Sequence, residues 1–483
     1  MSTKDLKNKA VSGMIWTGLQ RYSKMFIQFI SGIILARLLT PYDYGCIGML
    51  MIFVTLAESF IDGGFGSALI QKKRPTQEDY STIFFWNIGM AIVLYAVLYF
   101  SAPAIAQFYG IPLLSDVLRV QGIILFIYAF NIVQRNQLRK KMNFKILSIV
   151  AIITSIISLI ITIIMAYHGY GVWSLVTQNI LMGLIPALVF WFYVKWRPKF
   201  SFSWLSFKEL FSFGAFMFLT HLVNQFSLQL RGLLIGKFYT PDVLGFYSKA
   251  SSTEGLASRS ISQVMTQVTY PLYAEVQDEK RKLQNIIKQL SSLIAYLTFP
   301  LLTVLILIAK PVFILLYSDR WINCIPYFQI LCLVGIGVCL QAVNLQVISA
   351  IGKSKIMFVW SLVKQSIGLL LALGGLMFFG IYGLLWGAVI HSWFCTYVNM
   401  ALVSKYVGYR LIKQLKDLIP ITVLTLFSFV VSYFFCSLLN LPLYIDGLVK
   451  LLIFISVYLG WSIAVKPPCF IIICEYLKRI FCK

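Results

Sequence analysis

The chain has 483 residues, of which 59% are hydrophobic and only 12% are charged, and its formal net charge is +24. A soluble protein contains about 25% charged residues, so this composition argues against the soluble globular classes. Apolar blocks of about 20 residues or more follow one another along the chain, which predicts an all-α integral membrane protein with many spans.

The hydropathy pattern predicts about fourteen transmembrane helices. Their approximate limits are 14–36, 44–66, 81–103, 113–134, 146–167, 171–194, 209–236, 243–270, 291–317, 325–350, 356–378, 382–403, 417–438 and 443–465. The connections are short, and no loop is long enough to fold as a separate domain. The first span contains Arg21 and Lys24 and is followed by no small-x-small cleavage pattern, which argues against a removable signal peptide.

The basic residues are unevenly distributed between the connections. Most of the 41 Lys and Arg residues fall in connections on one face, Arg135 and Arg139 among them. The opposite face holds Arg37, Lys237, Lys310 and Arg320. This is the positive-inside pattern, and it predicts that both termini are cytoplasmic. Basic loops scattered between spans form no groove, so we expect no nucleic-acid partner.

Cysteine and histidine spacing bears on metal and cofactor binding. The 9 cysteines and 3 histidines form no CxxC, Cys/His or HExxH pattern. Most of the cysteines lie in apolar runs, where a free thiol behaves as a small hydrophobic group. We therefore expect neither a metal nor a cofactor.

A stretch near the start of the chain recurs about 200 residues later, as internal repeats do in duplicated proteins. The sequence ILARLLTPYDYG at 34–45 is matched by LIGKFYTPDVLG at 234–245. The aligned pairs are Arg37 with Lys237, Thr40 with Thr240, Pro41 with Pro241, and Gly45 with Gly245. Further along, YGVWSLV at 170–176 is matched by YGLLWGAV at 382–389.

The duplication predicts the domain organisation. Residues 1–200 and 201–410 would form two lobes of six helices each, and residues 411–483 would add two transmembrane helices and a cytoplasmic tail. Because six is even, both lobes cross the membrane in the same direction, and a pseudo-twofold axis along the membrane normal should relate them. The repeated turn itself is predicted to be a helix stop, since proline disfavours helical geometry in the residue before it.

Charged side chains inside the predicted spans are the candidate functional residues. The basic ones are Arg21, Lys24, Arg231, Lys249, Arg259 and Lys364, and the acidic ones are Glu58, Asp62 and Glu254. Polar residues on the same helices are Gln28, His221, Asn224 and Gln225. Each charge costs about 2.5–3.5 kcal/mol at the bilayer centre, so these side chains should face one another or a water-filled cavity.

Two interpretations of these charges stay open. In the first they pair, Arg21 or Lys24 with Glu58 or Asp62, and Lys249 or Arg259 with Glu254. In the second, the surplus of cations attracts an anionic guest. A phosphate or diphosphate suits such a cavity, because arginine forms charge-assisted and often bidentate hydrogen bonds to phosphate oxygens. The three carboxylates would then bind a proton or a coupling ion, or would neutralise cations.

The stretch ILARLLTPYDYGCIGMLMIFVTLAESFIDGGFGSALIQKK at 34–73 resembles the start of the polysaccharide transport family. These proteins are Wzx-type flippases within the superfamily of multidrug, oligosaccharidyl-lipid and polysaccharide exporters. The segments LGFYSKASS at 244–252 and VTYPLYAEVQDEKRKL at 268–283 are similar to corresponding parts of the family. The resemblance covers about residues 1–410.

The resemblance implies a function. A two-lobed helical fold would move an undecaprenyl-diphosphate-linked oligosaccharide from the cytoplasmic to the outer leaflet of a bacterial inner membrane by alternating access. The oligosaccharide would be a repeat unit of lipopolysaccharide O-antigen, capsule or exopolysaccharide. The six span cations would bind the diphosphate. The protein would be a monomer without enzyme activity, working beside a polysaccharide polymerase and chain-length machinery.

Two other classes remain as alternatives. A drug or small-molecule exporter of the same superfamily would share the fold, but a cavity for cationic drugs should carry a net negative charge. A membrane glycosyltransferase or polymerase should carry carboxylate or His/Arg clusters in a sizeable outer loop, and the predicted outer loops are short.

Overall fold

The structure is a computed structural model that describes residues 3–481, and within this range the regular secondary structure is helical. The helices are α1 (Thr3–Leu38), α2 (Pro41–Asp62), α3 (Phe65–Gln71), α4 (Gln77–Tyr109), α5 (Leu113–Gln121), α6 (Ile124–Lys140), α7 (Phe144–Tyr167), α8 (Val172–Tyr193), α9 (Trp204–Phe238), α10 (Pro241–Glu275), α11 (Lys280–Leu307), α12 (Ala309–Tyr317), α13 (Cys324–Ala350), α14 (Ser354–Val407), α15 (Leu411–Leu439), α16 (Leu443–Val465) and α17 (Pro468–Phe481). A short 3-10 turn, Asp319–Trp321, precedes α13.

Within residues 3–481, 10 helical segments are long and apolar enough to cross a membrane. The helices α1, α9 and α10 have 36, 35 and 35 residues and contain most of the charges predicted to lie inside spans. Helix α14 has 54 residues and changes direction at Gly380, whose φ of 62° and ψ of −149° are not helical. The predicted all-helical multi-pass fold is confirmed, whereas the count of fourteen spans stays a prediction.

Three predicted spans are broken by short turns. The second becomes α2 and α3, separated by Gly63 and Gly64 with φ of 50° and 78°, a backbone geometry that glycine adopts at little cost. The fourth becomes α5 and α6, which meet at Gly122 and Ile123. The ninth, predicted at 291–317, becomes α11 and α12, which meet at Ile308.

The chain divides into two compact units, one up to Ser248 and one from Lys249 onward. In the first unit, α1 packs along α7, α7 along α8, and α2 along α9. The hydroxyl of Ser148 on α7 donates to the backbone carbonyl of Trp16 on α1 at 2.9 Å. The lobes 1–200 and 201–410 stay a prediction.

The two repeated turns lie against each other within the first unit. Thr40 caps α2 with a capping box that includes Asp43, and Pro41 starts the helix. A Cβ atom on Gly45 would overlap the backbone carbonyl oxygen of Pro241, and a Cβ atom on Gly245 would overlap that of Pro41. The contact is therefore reciprocal, and only glycine fits at either position.

In the second unit, the last two long helices pack on the preceding bundle, α15 and α16 against each other and against α11. The Tyr296 hydroxyl on α11 donates to the Ser462 hydroxyl on α16 at 2.6 Å, and the Tyr458 hydroxyl donates to the Tyr296 carbonyl at 2.9 Å. Lys288 on α11 forms a 2.8 Å ion pair with Asp417 on α15. Polar contacts thus attach the C-terminal helices to the bundle.

Candidate functional site

A basic cavity of about 340 Å³ lies inside the first unit. Helices α1, α6, α7 and α8 contribute its walls. Its polar lining includes Gln20, Lys24, Asn131, Arg135, Arg139 and Thr154. Three cations therefore meet in one cavity, and the lining, all of it within residues 17–190, holds no carboxylate.

The helical repeat explains why these cations converge. Arg135 and Arg139 are four residues apart on α6, and Asn131 precedes them by another four, so the three side chains share one face of the helix. Lys24 reaches the same space from α1. The positive charge of Arg135 acts on both Lys24 and Arg139. Like charges held together in this way favour an anionic guest.

The predicted pairing of Lys24 with Glu58 or Asp62 is not among the six ion pairs found in the described part of the chain. These join Lys72 with Asp79 and Glu209, Arg119 with Asp116, Lys282 with Glu279, Lys288 with Asp417, and Lys450 with Asp446. Helix α6, which carries Arg135, packs against α2, which carries Glu58 and Asp62. The sequence predicts that Arg135 and Arg139 are loop cations. Their four-residue spacing after Asn131 is the feature of the sequence that indicates a shared helix face.

Asp62 has a clear structural function at the end of α2. Its carboxylate accepts hydrogen bonds from the backbone N–H groups of Gly66 and Gly64, which close the turn between α2 and α3. A Cβ atom on Gly64 would overlap the carbonyl oxygen of Gly214 on α9. The DGGFG segment thus fixes α3 against α9.

A second cavity of about 440 Å³ lies beside this turn, also inside the first unit. Helices α2, α3 and α9 form its walls. Its polar lining consists of Ser59, Asp62, Ser67, Thr220, His221 and Asn224. The Ser59 hydroxyl lies 3.4 Å from Nδ1 of His221. The structure therefore brings together three of the predicted residues, Asp62, His221 and Asn224.

The other predicted residues of the first unit lie outside the described linings of these two cavities. Arg21 is half-buried and Gln28 is exposed on α1, and Gln225 and Arg231 are half-buried on α9. Glu58 is half-buried on α2. A role for these five side chains stays a prediction.

In the second unit, the predicted residues are dispersed. Lys249 is 5% exposed, and its ammonium lies 4.1 Å from the ring centre of Tyr317 and 5.5 Å from that of Trp321. A cation over aromatic faces is stabilised by their negative quadrupoles. This surrounding gives Lys249 a packing role.

The other three predicted site residues of this unit differ in exposure. Glu254 is 7% exposed and lies against Gly335, where a Cβ atom would overlap its carboxylate. Arg259 is exposed on α10. The ammonium of Lys364 donates to the side-chain oxygen of Asn399 at 2.9 Å, across the bend in α14. Lys364 thus joins the two halves of this long helix.

The fold is that of known membrane transporters. The structure of "Lipid II flippase MurJ, inward closed conformation" matches with a TM-score of 0.72 and 14% identity, over 94% of this chain and 100% of that chain. An inward-facing multidrug resistance MATE transporter of the MOP superfamily matches with a TM-score of 0.64 and 15% identity, over 80% of this chain and 94% of that chain. These matches show that the chain has the fold of a multi-pass membrane protein.

Relatives in sequence indicate the protein family to which the chain belongs. Teichuronic acid biosynthesis protein TuaB of Bacillus subtilis is 27% identical over 74% of each chain. Lipopolysaccharide biosynthesis protein WzxC of Escherichia coli is 21% identical over 68% of each chain. Succinoglycan biosynthesis transport protein ExoT of Rhizobium meliloti is 21% identical over 72% of this chain and 71% of that one. The family model "Polysaccharide biosynthesis protein" matches residues 34–326. The chain belongs to this family, which confirms the resemblance found at 34–73.

Proposed function

We propose that the protein is a flippase that moves an undecaprenyl-diphosphate-linked oligosaccharide across the membrane by alternating access. The observation that carries this proposal is the meeting of Lys24, Arg135 and Arg139 in one cavity with no carboxylate in its described lining. The names of the relatives, which describe the biosynthesis of teichuronic acid and lipopolysaccharide and the transport of succinoglycan, support it.

The chemistry of the cavity suits a diphosphate. Arg135 and Arg139 can each present two parallel N–H donors to phosphate oxygens, and Lys24 adds a point charge. The amides of Gln20 and Asn131 add neutral donors. A diphosphate that enters the bilayer loses its hydration. The three cations replace the lost water with charge-assisted hydrogen bonds.

The cavity charge also separates this proposal from a drug exporter. A lipophilic cation would meet three positive side chains and no described carboxylate in the first cavity, and like charges repel more strongly away from water. We therefore place the substrate among anionic glycolipids rather than cationic drugs.

The setting follows from the function. The protein would lie in a bacterial inner membrane with both termini in the cytoplasm, where lipid-linked oligosaccharides are assembled. It would act as a transporter rather than an enzyme, as a monomer, and would deliver repeat units to a polysaccharide polymerase and chain-length machinery. Surface polysaccharides such as O-antigen, capsule or exopolysaccharide would be the end products.

Deleting the gene in its own bacterium, with no redundant flippase present, tests the proposal. The lipid-linked oligosaccharide should accumulate in the cytoplasmic leaflet, and the surface polysaccharide should disappear. Complementation with the wild-type gene should restore both, whereas an Arg135→Gln, Arg139→Gln double variant should insert in the membrane without restoring them. Unchanged surface polysaccharide in the deletion strain would refute the proposal.

A further inference from the structure

We propose that the second cavity, lined by Asp62, His221 and Asn224, binds the first sugar next to the diphosphate and selects which oligosaccharide is transported. This inference rests on the proposed function and assigns a separate place to each part of the substrate head. The first cavity would take the diphosphate, and the second would take the neutral, hydroxyl-rich sugar.

The charges of the two cavities differ in the way this assignment requires. The described lining of the first has three cations and no carboxylate, whereas that of the second has one carboxylate, Asp62, and no lysine or arginine. A phosphate would be repelled by Asp62, so the second cavity is unsuited to a second anion. A carboxylate beside neutral polar groups suits sugar hydroxyls, which donate hydrogen bonds to it.

The polar groups of the second cavity complement a sugar in both directions. Asn224 offers an amide donor and an amide acceptor. His221 adds its Nε2, since its Nδ1 lies against the Ser59 hydroxyl. The hydroxyls of Ser67 and Thr220 line the same space. The half-buried ring of Phe218 also lines it, and an aromatic ring presents an apolar face against which the C–H surface of a sugar can pack.

The two cavities lie beside the same helix, α6. Arg135 lines the first cavity, and the next residue, Asn136, approaches the second: a Cβ atom on Gly66 would lie 3.0 Å from the Asn136 amide nitrogen and 2.9 Å from the carboxylate of Asp62, which lines the second cavity. A sugar bonded directly to a diphosphate in the first cavity therefore has a hydrogen-bonding site close by, next to α6. The close approach of Gly64 to Gly214 holds α3 against α9, so the walls of the second cavity stay in register.

Binding measurements on the purified full-length protein in lipid nanodiscs test this division. The probes are bare undecaprenyl diphosphate and undecaprenyl diphosphate bearing one glucose, galactose or N-acetylglucosamine. The wild type should bind at least one glycosylated probe about tenfold more tightly than the bare probe, in line with a few added hydrogen bonds. A wild-type protein that binds all four probes equally would overturn the inference.

His221→Ala and Asn224→Ala change exposed side chains, so these variants should fold. Each should reduce the preference for the glycosylated probe about fivefold to tenfold and leave the affinity for the bare probe within about twofold. Lys24→Gln should weaken the bare and glycosylated probes equally, and His168→Ala, which removes a histidine from outside both cavities, should change neither.

The remaining outcomes distinguish a failure of this inference from a failure of the proposed function. If His221→Ala and Asn224→Ala weaken the bare probe as much as the glycosylated one, the second cavity is not a sugar site and the inference fails while the proposed function stands. If the wild type binds neither bare nor glycosylated undecaprenyl diphosphate, the proposed function itself fails. Asp62→Asn is less informative as a first variant, because Asp62 also closes the turn between α2 and α3.

Discussion

The backbone carbonyl of Pro241 lies directly against Gly45, and the carbonyl of Pro41 lies against Gly245 in the same way. These four residues are the aligned positions of the two repeated turns. A contact in which residue i meets j′ and j meets i′ is the signature of a twofold interface. The repeat found in the sequence is thus also a contact in space, inside the first unit.

We expect alanine at either glycine to disrupt this contact. Gly45→Ala or Gly245→Ala places a Cβ atom where the facing proline carbonyl now lies, and overpacking of this kind costs about 1–3 kcal/mol. Thermal unfolding in detergent should show a lower midpoint for both variants. Gly89→Ala is the matched control, since a Cβ atom there meets nothing within 4 Å. A melting temperature unchanged from the wild type in both variants would contradict the close approach.

Single substitutions of the three cavity cations should reduce substrate binding strongly. Lys24→Gln, Arg135→Gln and Arg139→Gln each remove a charged hydrogen-bond donor worth about 1.5–3 kcal/mol, so affinity for undecaprenyl diphosphate should fall about tenfold to a hundredfold. Arg135→Lys should fall between the wild type and Arg135→Gln, because lysine keeps the charge but loses bidentate geometry. Binding is measured by fluorescence or calorimetry in nanodiscs.

The control for this series is Arg74→Gln, which removes an exposed arginine outside the described cavity linings. It should bind undecaprenyl diphosphate as the wild type does. If Arg74→Gln weakens binding as much as Arg135→Gln does, the effect comes from overall charge and not from the cavity.

Lys249→Met should behave differently from Lys24→Gln. Lys249 is buried against Tyr317 and Trp321, and methionine fills similar space with a side chain that packs well on aromatic rings. Replacing a buried charge by an apolar group of similar volume is often neutral for stability. We therefore expect diphosphate affinity within about threefold of the wild type. A loss comparable to that of Lys24→Gln would place Lys249 in the binding site.

Removing Lys72 should destabilise the first unit. Its ammonium bridges Asp79 at 3.0 Å and Glu209 at 2.8 Å, and Asp79 is only 1% exposed. Lys72→Ala leaves that carboxylate without its cation, at a cost of about 1–3 kcal/mol. Lys73→Ala, an exposed neighbour, is the control and should unfold as the wild type does.

The same ion pairs predict a pH dependence. Burial lowers the pKa of Lys72, but the hydrogen bonds to Glu209 and Asp79 outweigh it, and the net pKa lies above the ordinary value of 10.5. A raised pKa means that the stabilisation is complete below that ordinary value and is lost as the pH rises through the folded value. The gap in unfolding midpoint between the wild type and Lys72→Ala should stay constant from neutral pH to about 10 and narrow above it. A gap that closes below about pH 9 would contradict this assignment.

The sequence was sufficient for features that are local in the chain. Long apolar blocks predicted the membrane fold, and the motif at 34–73 predicted the family. Lys24 is a candidate from the sequence because a charge deep in a span must face polar surroundings. The polar faces of their helices indicate Asp62, His221 and Asn224.

Features that depend on distant parts of the chain were not predictable in this way. Arg135 and Arg139 lie near a span end, where a cation is usually a loop or interface charge. They line a cavity only because α1, α6, α7 and α8 surround one space. The contacts of Lys249 with Tyr317 and Trp321, and of Lys364 with Asn399, join residues far apart in the chain, and the substrate-facing role expected of both lysines stays a prediction. Span composition carries no information about such partners.

The hydrogen bonds of Tyr296 with Ser462 and Tyr458 set a lower limit on how far the protein can be shortened. In a chain ending after residue 410, the Tyr296 hydroxyl and the surface of α11 that α16 now covers would face hydrocarbon, where each unsatisfied polar group costs several kcal/mol. The last two long helices therefore belong to the smallest piece of this protein that can be expected to insert and remain folded. Engineering or fusion should begin beyond Val465, the end of α16.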